Sequence, residues 1–324
     1  MRNKTIDQSR LVAALLVVII HAPLPGVFGS ALESIARLAV PFFFMVSGYF
    51  AFGKDKAGLK RQTIKTLKLF LFALAVNLLW EILSSLYRGN TLEMFAQRFS
   101  VASILETLVL NTGALLGHIW FLLALVYVYG IYSLLFGNSR ASVRIATSAG
   151  LLLGLCALRE VLRAFGISDA SYYIRNFLFV GIPFFLLGTL CAEYKEKIGR
   201  IKPAVLLLVG AVGAGLSVAD RFLIGGCDMY FGTPLLAESF FMLSVMDILP
   251  CSTLLTTLGR KYSRDIYVFH NIVLSVINIL ASILGILQNQ IFLFVRPLVI
   301  ITICIMGLLV LYKLFSLKKK AVKD

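Results

Sequence analysis

Long apolar runs recur from one end of this chain to the other, and they constrain its fold more than any motif does. Ten can be drawn, over 6–22, 31–53, 65–87, 119–136, 143–162, 176–194, 203–219, 233–250, 265–287 and 291–313. The hydrocarbon core of a bilayer takes about 20 apolar residues of helix, so the longer runs can cross it, while the shorter ones would tilt, break or re-enter. Hydrophobic residues are 59% of the 324, charged residues 15%, and mean hydropathy is +0.91, which is more apolar surface than a soluble domain can bury. The expected architecture is all-α: a polytopic helical bundle of about ten transmembrane helices, forming one membrane domain over 1–324. The Gly-interrupted stretch 91–116 reads as an outer-surface or half-inserted helix. Neither a cleavable leader nor a 20–50-residue repeat is visible.

The formal charge of +15 would suit nucleic acid, but its distribution does not. Lys and Arg gather in short segments between alternate apolar runs: Lys54 to Lys68, Arg140 and Arg144, Lys195 to Lys202, Arg260 to Arg264, and Lys313 to Lys323. The intervening loops are poorer in Lys. That alternation is the pattern of cytoplasmic loops beside anionic lipid, and it predicts both termini in the cytoplasm. The bilayer is the expected partner, and nucleic acid is not. Cys156, Cys191, Cys227, Cys251 and Cys304 lack CxxC spacing and read as small apolar packing residues.

The first apolar run carries the strongest chemical signal. Ten residues, Leu11 to Ile20, separate Arg10 from His21. Eleven helical steps are close to three turns, which puts both side chains near one face and about 16 Å apart. A guanidinium and an imidazole at the two ends of a hydrophobic span normally face protein or a wet cavity. The plainer reading stays open: Arg10 snorkels or pairs with Asp7, and His21 only marks the helix end before Pro23.

Two further histidines, His118 beside Trp120 and His270 in the run DIYVFH, suit proton movement near neutral pH. Each is also explained by packing: His118 by its interfacial aromatic neighbour, His270 as a hydrogen-bonding member of a helix interface. With no HExxH and no His/Cys cluster, metal chemistry is not expected. Glu81, Glu238, Asp247 and Arg296 are charges within spans. Glu238 and Arg296 fall at similar depth, which allows either a structural pair or a role facing substrate. Ser47, Ser244, Asn77 and Asn278 read as helix-packing polar residues. Lys60, Arg61, Lys65 and Lys68 are either ordinary cytoplasmic charge or a cluster that binds the phosphates of a donor.

Arg10, ten residues and then His21 resembles the R-x10-H signature of acyltransferase family 3, the multi-helix membrane O-acyltransferases. RLAVPFFFMVSGYF, with its step Ser47, Gly48, Tyr49, resembles that family's next block, and GHIWFLLAL and DIYVFH resemble two later ones. The N-terminal blocks are also similar to the membrane domain of the membrane-bound serine racemases of vancomycin-resistance operons. There a pyridoxal-phosphate domain follows the spans; no racemase segment is visible before Asp324, so a fused or associated racemase domain is a possible partner and no pyridoxal site is assigned.

The resemblance implies a cytoplasmic acyl-CoA (acetyl-CoA) donor and a small-molecule acceptor hydroxyl or amine reached from the outer side. His21 would be the general base and Arg10 would hold another part of an extended donor. Lys60, Arg61, Lys65, Ser47, His118, Trp120, Glu238 and Arg296 are the candidate substrate-binding residues. One departure stands out. The family often carries Arg-x-x-Arg after the second span, where this chain has Lys60, Arg61, Lys65 and Lys68, keeping charge but losing bidentate recognition. The racemase-linked resemblance makes uptake of L-serine, or another small amino acid, the alternative activity.

Overall fold

The computed structural model describes residues 3–113, 115–167, 171–248 and 250–321. The described residues are helical, with no strand among them. In order, the α-helices are α1 (Lys4–His21), α2 (Gly26–Ala36), α3 (Ala39–Ala51), α4 (Lys56–Arg88), α5 (Thr91–Arg98), α6 (Val101–Leu105), α7 (Trp120–Ile131), α8 (Ala141–Ala164), α9 (Ser171–Ile174), α10 (Ile182–Glu193), α11 (Lys195–Ile198), α12 (Pro203–Ile224), α13 (Thr233–Met246), α14 (Thr253–Ile283) and α15 (Gln290–Ala321). Wider π-turns extend α6 and α7 and lead into α10.

Among the described residues, seven helices are long and apolar enough to cross a membrane: 26–51, 56–88, 117–136, 141–164, 203–224, 253–283 and 290–307. The protein is an all-α, multi-pass membrane protein. The other three apolar runs are helical too but differ in kind. The run at 6–22 is α1, whose first turns carry Lys4, Asp7 and Arg10, while Phe177–Glu193 and Thr233–Met246 are shorter than a full span. The 91–116 stretch holds α5 and α6, which leave Leu92, Val101, Leu105 and Val109 exposed.

The helices divide into two compact units, Met1–Ala39 with Asp247–Asp324, and Val40–Met246. In the first, α1 packs along α14, with α2 beside α1 and α15 against both. Asn3 starts α1 by accepting the Ile6 N–H at 2.8 Å, so a donor left over at the helix start finds a partner. The chain before α14 is tied to the same end of α1. Asp247 Oδ1 accepts the Thr5 N–H at 3.0 Å and the Thr5 hydroxyl at 2.7 Å, and the Gln8 side chain accepts from Ser252 N. At Gly259 the two backbones come so close that a methyl group would land on the Asp7 carbonyl oxygen.

In the second unit, α3 and α10 interlock through reciprocal glycines. Gly48 sits on the Phe185 backbone and Gly188 on that of Met45. Aromatic rings fill the space around this crossing: Phe44 meets Phe121 at 4.6 Å between centroids, and Phe42 meets Phe240 at 5.1 Å.

Arg144, which the charge pattern assigns to a loop, and Arg159 are both inside this unit. Arg144 is buried on α8 and reaches the Thr189 hydroxyl at 3.0 Å and the Glu193 carboxylate. Arg159, also buried on α8, donates to Asp220 Oδ2 at 2.8 Å and to the Met229 carbonyl at 3.0 Å, and lies 3.9 Å from the centre of the Phe231 ring. Asp220 also accepts the Phe231 N–H at 2.9 Å. One guanidinium therefore ties α8, α12 and the segment before α13. Arg159→Met leaves the Asp220 carboxylate buried without its cation and should cost about 3–5 kcal/mol in thermal or denaturant unfolding. Adding Asp220→Asn, which removes the charge but keeps an acceptor for Phe231, should recover most of that loss. An unchanged melting curve for Arg159→Met would contradict this account.

Candidate active site

The α1 face turned toward α14 follows helical spacing: Asp7, Leu11, Ala14, Val18 and His21. On α14, Gly259 meets Asp7 and Leu11 and His270 meets His21, with Ser263 and Ile266 buried at helical spacing between them. Contact at Asp7 with Gly259 and at His21 with His270 makes the helices parallel along their shared length. The imidazoles of His21 and His270 lie 5.0 Å apart between ring centroids, tilted by 45°. His21 is partly exposed at the end of α1, and His270 is fully buried in the middle of α14. The His270 Nδ1 lies 2.8 Å from the Tyr267 carbonyl oxygen and 3.1 Å from that of Ile266. The Tyr267 ring is 6.1 Å from that of His270.

Arg10 lies on α1 as expected, half-buried, with Nη1 3.4 Å from the Asp7 carboxylate. The i, i+3 pairing with Asp7 holds the guanidinium on its own helix. Arg296 on α15 has a partner within the same unit, donating to Asn278 Oδ1 of α14 at 3.5 Å. Glu238 is half-buried on α13, in the other unit.

The remaining candidates also belong to the second unit. Lys60, Arg61 and Lys65 are exposed on the first turns of α4, which Asp55 caps by accepting the Gly58 N–H at 2.8 Å. Just before that helix, the Lys54 ammonium has its pKa lowered, first by the surrounding protein and then by repulsion from Lys65. Three exposed cations and a strained fourth make a region of positive potential at this helix end. The Ser47 hydroxyl donates to the Phe43 carbonyl of its own helix at 2.8 Å, which leaves its oxygen lone pairs for a ligand. His118 and Trp120 are both buried at the start of α7. The Trp120 carbonyl accepts from Asn111 at 3.2 Å, and the Arg175 guanidinium lies 5.8 Å from the Trp120 ring. Arg175 also reaches Asp228 at 3.5 Å.

His270 is buried and hydrogen-bonded at a helix interface, as its packing reading has it. Read alone it is one histidine in an amphipathic helix, and only the packing of α14 on α1 shows which imidazole it meets. Among the described residues no group of three metal-ligating side chains occurs.

Residues 3–312 match the family model described as an acyltransferase domain, that of acyltransferase family 3. The chain belongs to this family. The match covers nearly the whole chain, including the Arg10/His21 helix and the His270 helix. A serine/alanine racemase of Enterococcus gallinarum is 27% identical over 255 residues, covering 69% of this chain and 34% of that protein. An amino-acid racemase of Enterococcus faecalis is 25% identical over 349 residues, covering 98% of this chain and 47% of its own length. The chain thus spans half or less of the curated relatives it matches. No solved structure gave a significant match.

Proposed function

We propose that this protein is an acyl-CoA-dependent membrane acyltransferase of the bacterial plasma membrane, with His21 as general base. The observation that carries the reading is a partly exposed imidazole that ends the ten-residue apolar stretch of a largely buried helix, in a chain that belongs to an acyltransferase family. In the reaction, His21 takes the proton of an acceptor hydroxyl or amine as its oxygen or nitrogen bonds to the acyl carbon. The carbon–sulfur bond then breaks, and the imidazolium returns the proton to the departing thiolate. Arg10, about 16 Å along the helix, is too far to touch that centre and holds a remote part of the donor.

The phosphates of coenzyme A need cations, and Lys60, Arg61 and Lys65 supply them. Near a membrane surface each cation is worth about 1 kcal/mol toward a polyanion, so replacing all three with Gln should raise KM for acyl-CoA about a hundred-fold. The change in kcat should be small, and the effect should shrink at high salt. The lowered Lys54 pKa sets the sign with pH: protonated Lys54 subtracts stability below its folded pKa, and that penalty vanishes as pH climbs past the usual lysine value. A bound anion relieves the same penalty, so donor binding should weaken on the alkaline side. An unchanged KM in the triple variant would leave these residues as ordinary cytoplasmic charge.

The names of the two racemase relatives favour a second reading, in which the domain brings a small amino acid such as L-serine across the membrane, alone or with a racemase domain. Purified protein in lipid vesicles separates the two. Acceptor-stimulated release of free coenzyme A from acetyl-CoA, tested with hydroxyl and amine acceptors including L-serine, is expected for acyl transfer. Uptake of labelled L-serine without coenzyme A release or binding would replace that reading with transport.

A further inference from the structure

Burial takes one side of α14 and leaves another side polar. Ile266, His270, Ile277 and Ala281 are buried at helical spacing. Asn271, Ser275, Asn278 and Ser282 recur at steps of four, three and four, which sets them along a second side, about 110° round the helix from His270. The remaining side carries Val276, Leu280 and Ile283, exposed and apolar as a surface against lipid should be. A charge meets the polar side. Arg296 of α15 donates to Asn278 Oδ1 at 3.5 Å, a long contact to a neutral amide, and its Nε is buried with no hydrogen-bond partner. A guanidinium stays charged at any ordinary pH. Inside a span it is costly unless a carboxylate, water or an anion meets it, and among the described residues no ion pair forms on Arg296.

The charge pattern assigns Arg260 to Arg264 and Lys313 to Lys323 to the cytoplasm, so the turn between α14 and α15 faces outward. Asn278 is five residues below that outward end of α14 and eight residues beyond His270, the level at which His21 ends α1. Arg296 therefore stands about 12 Å outward of His21 along the helix, with Asn271 and Ser275 on the polar side between them. We propose that Arg296, steadied by Asn278, docks an anionic group of the acceptor, a carboxylate or a phosphate, and that the acceptor carries this charge about 12 Å from the hydroxyl or amine it presents to His21. The proposal rests on the reading of His21 as the base. The planar fork of the guanidinium suits an anion with two oxygens, and a bound anion supplies the counter-charge that the span lacks. Arg296 makes and breaks no bond. It holds the far end of the acceptor while proton transfer and thiolate departure take place at His21. A small amino acid such as L-serine is too short to occupy both ends at once.

Unbranched ω-amino carboxylates can measure that span. An extended chain advances about 1.2 Å per bond, so 12 Å is about ten bonds, the length of ω-aminodecanoate. With the purified protein in phosphatidylcholine nanodiscs, coenzyme A release from acetyl-CoA should be faster with ω-aminodecanoate than with ω-aminobutyrate. Arg296→Gln should raise KM for ω-aminodecanoate about 10–100-fold, the worth of a charge-assisted hydrogen bond, with little change in kcat. The same variant should leave KM unchanged for decylamine, which lacks the carboxylate, and for ω-aminobutyrate, which cannot reach. Arg296→Lys keeps the charge without the fork and should fall between wild type and Gln. Gln also keeps an amide beside Asn278 and removes a charge from the span, so the melting midpoint should not fall.

A second measurement does not need turnover. Equilibrium binding of labelled ω-aminodecanoate to the same nanodiscs should weaken in Arg296→Gln by the factor seen in KM, and should persist in His21→Ala. An equal change for ω-aminodecanoate and decylamine, or no change for either, would overturn the docking role and leave Arg296 as a structural cation of the hairpin. Wild-type binding that phosphatidylglycerol reduces to the level of Arg296→Gln would place a lipid phosphate on Arg296 instead of the acceptor, and would overturn it as well. Normal acyl transfer by His21→Ala would instead overturn the reading of the base, while Arg296-dependent binding would stand as a separate fact.

Discussion

His21→Ala should reduce acyl transfer to background, a loss of about 10²–10⁴ in kcat, the range in which a positioned proton acceptor contributes. The loss belongs in kcat because the imidazole acts when the acceptor proton leaves, while the donor is held elsewhere. Donor KM should therefore stay near wild type, and so should the unfolding midpoint, since the side chain is partly exposed at the last turn of α1. His21→Gln is the sharper test. It keeps a polar side chain of similar reach that can hydrogen-bond but cannot take a proton, and it should be nearly as inactive as Ala. If both variants turn over normally, His21 is an end-of-helix residue and the enzymatic account of α1 fails. If coenzyme A release is absent even in the wild type while L-serine enters vesicles, the same two variants distinguish a proton-linked uptake site from a passive anchor.

The fold class was open to sequence reading because the bilayer leaves so few options. Apolar runs of helical length, with basic residues gathered in alternate loops, lead to an all-α membrane protein by arithmetic. The Arg10/His21 spacing was legible for the same reason, since one helix fixes its own geometry. What lay outside the sequence was everything decided between helices. Arg144 and Arg159 look like loop charges because they stand near the ends of an apolar run, yet each finds a carboxylate on another helix, Glu193 or Asp220. Depth alone allowed Arg296 either a pairing with Glu238 or a role facing substrate; within its own unit Arg296 donates to Asn278 on the neighbouring helix of the same hairpin. For His270 the missing information was the rotation of α14 against α1. A turn of 100° would have sent the ring to another neighbour, and no local pattern specifies that angle.

That rotation depends on one position without a side chain, and Gly259→Ala should show it. Fourteen helical steps lead from Asp7 to His21 on α1, and eleven from Gly259 to His270 on α14, or about 21 and 16 Å of helix. Two contacts that far apart on parallel helices set register and rotation together. At the first of them the added methyl would occupy the position of the Asp7 carbonyl oxygen and crowd the Leu11 N–H, both of them backbone atoms that cannot swing aside. The helices must separate locally, and overpacking of this kind costs about 1–3 kcal/mol. Because the displacement is carried along α14, the distance between the two imidazoles should change as well. Gly259→Ala should then lose stability and, in the fraction that remains folded, kcat, with donor KM little altered. Gly215→Ala is the matching control. It lies on an exposed face of α12 with no atom near its would-be methyl, and Ala there should be neutral or stabilising by up to about 1 kcal/mol. Melting curves and kcat for Gly259→Ala that match those of Gly215→Ala would mean that the close approach at Asp7 does not set the geometry of the histidine pair.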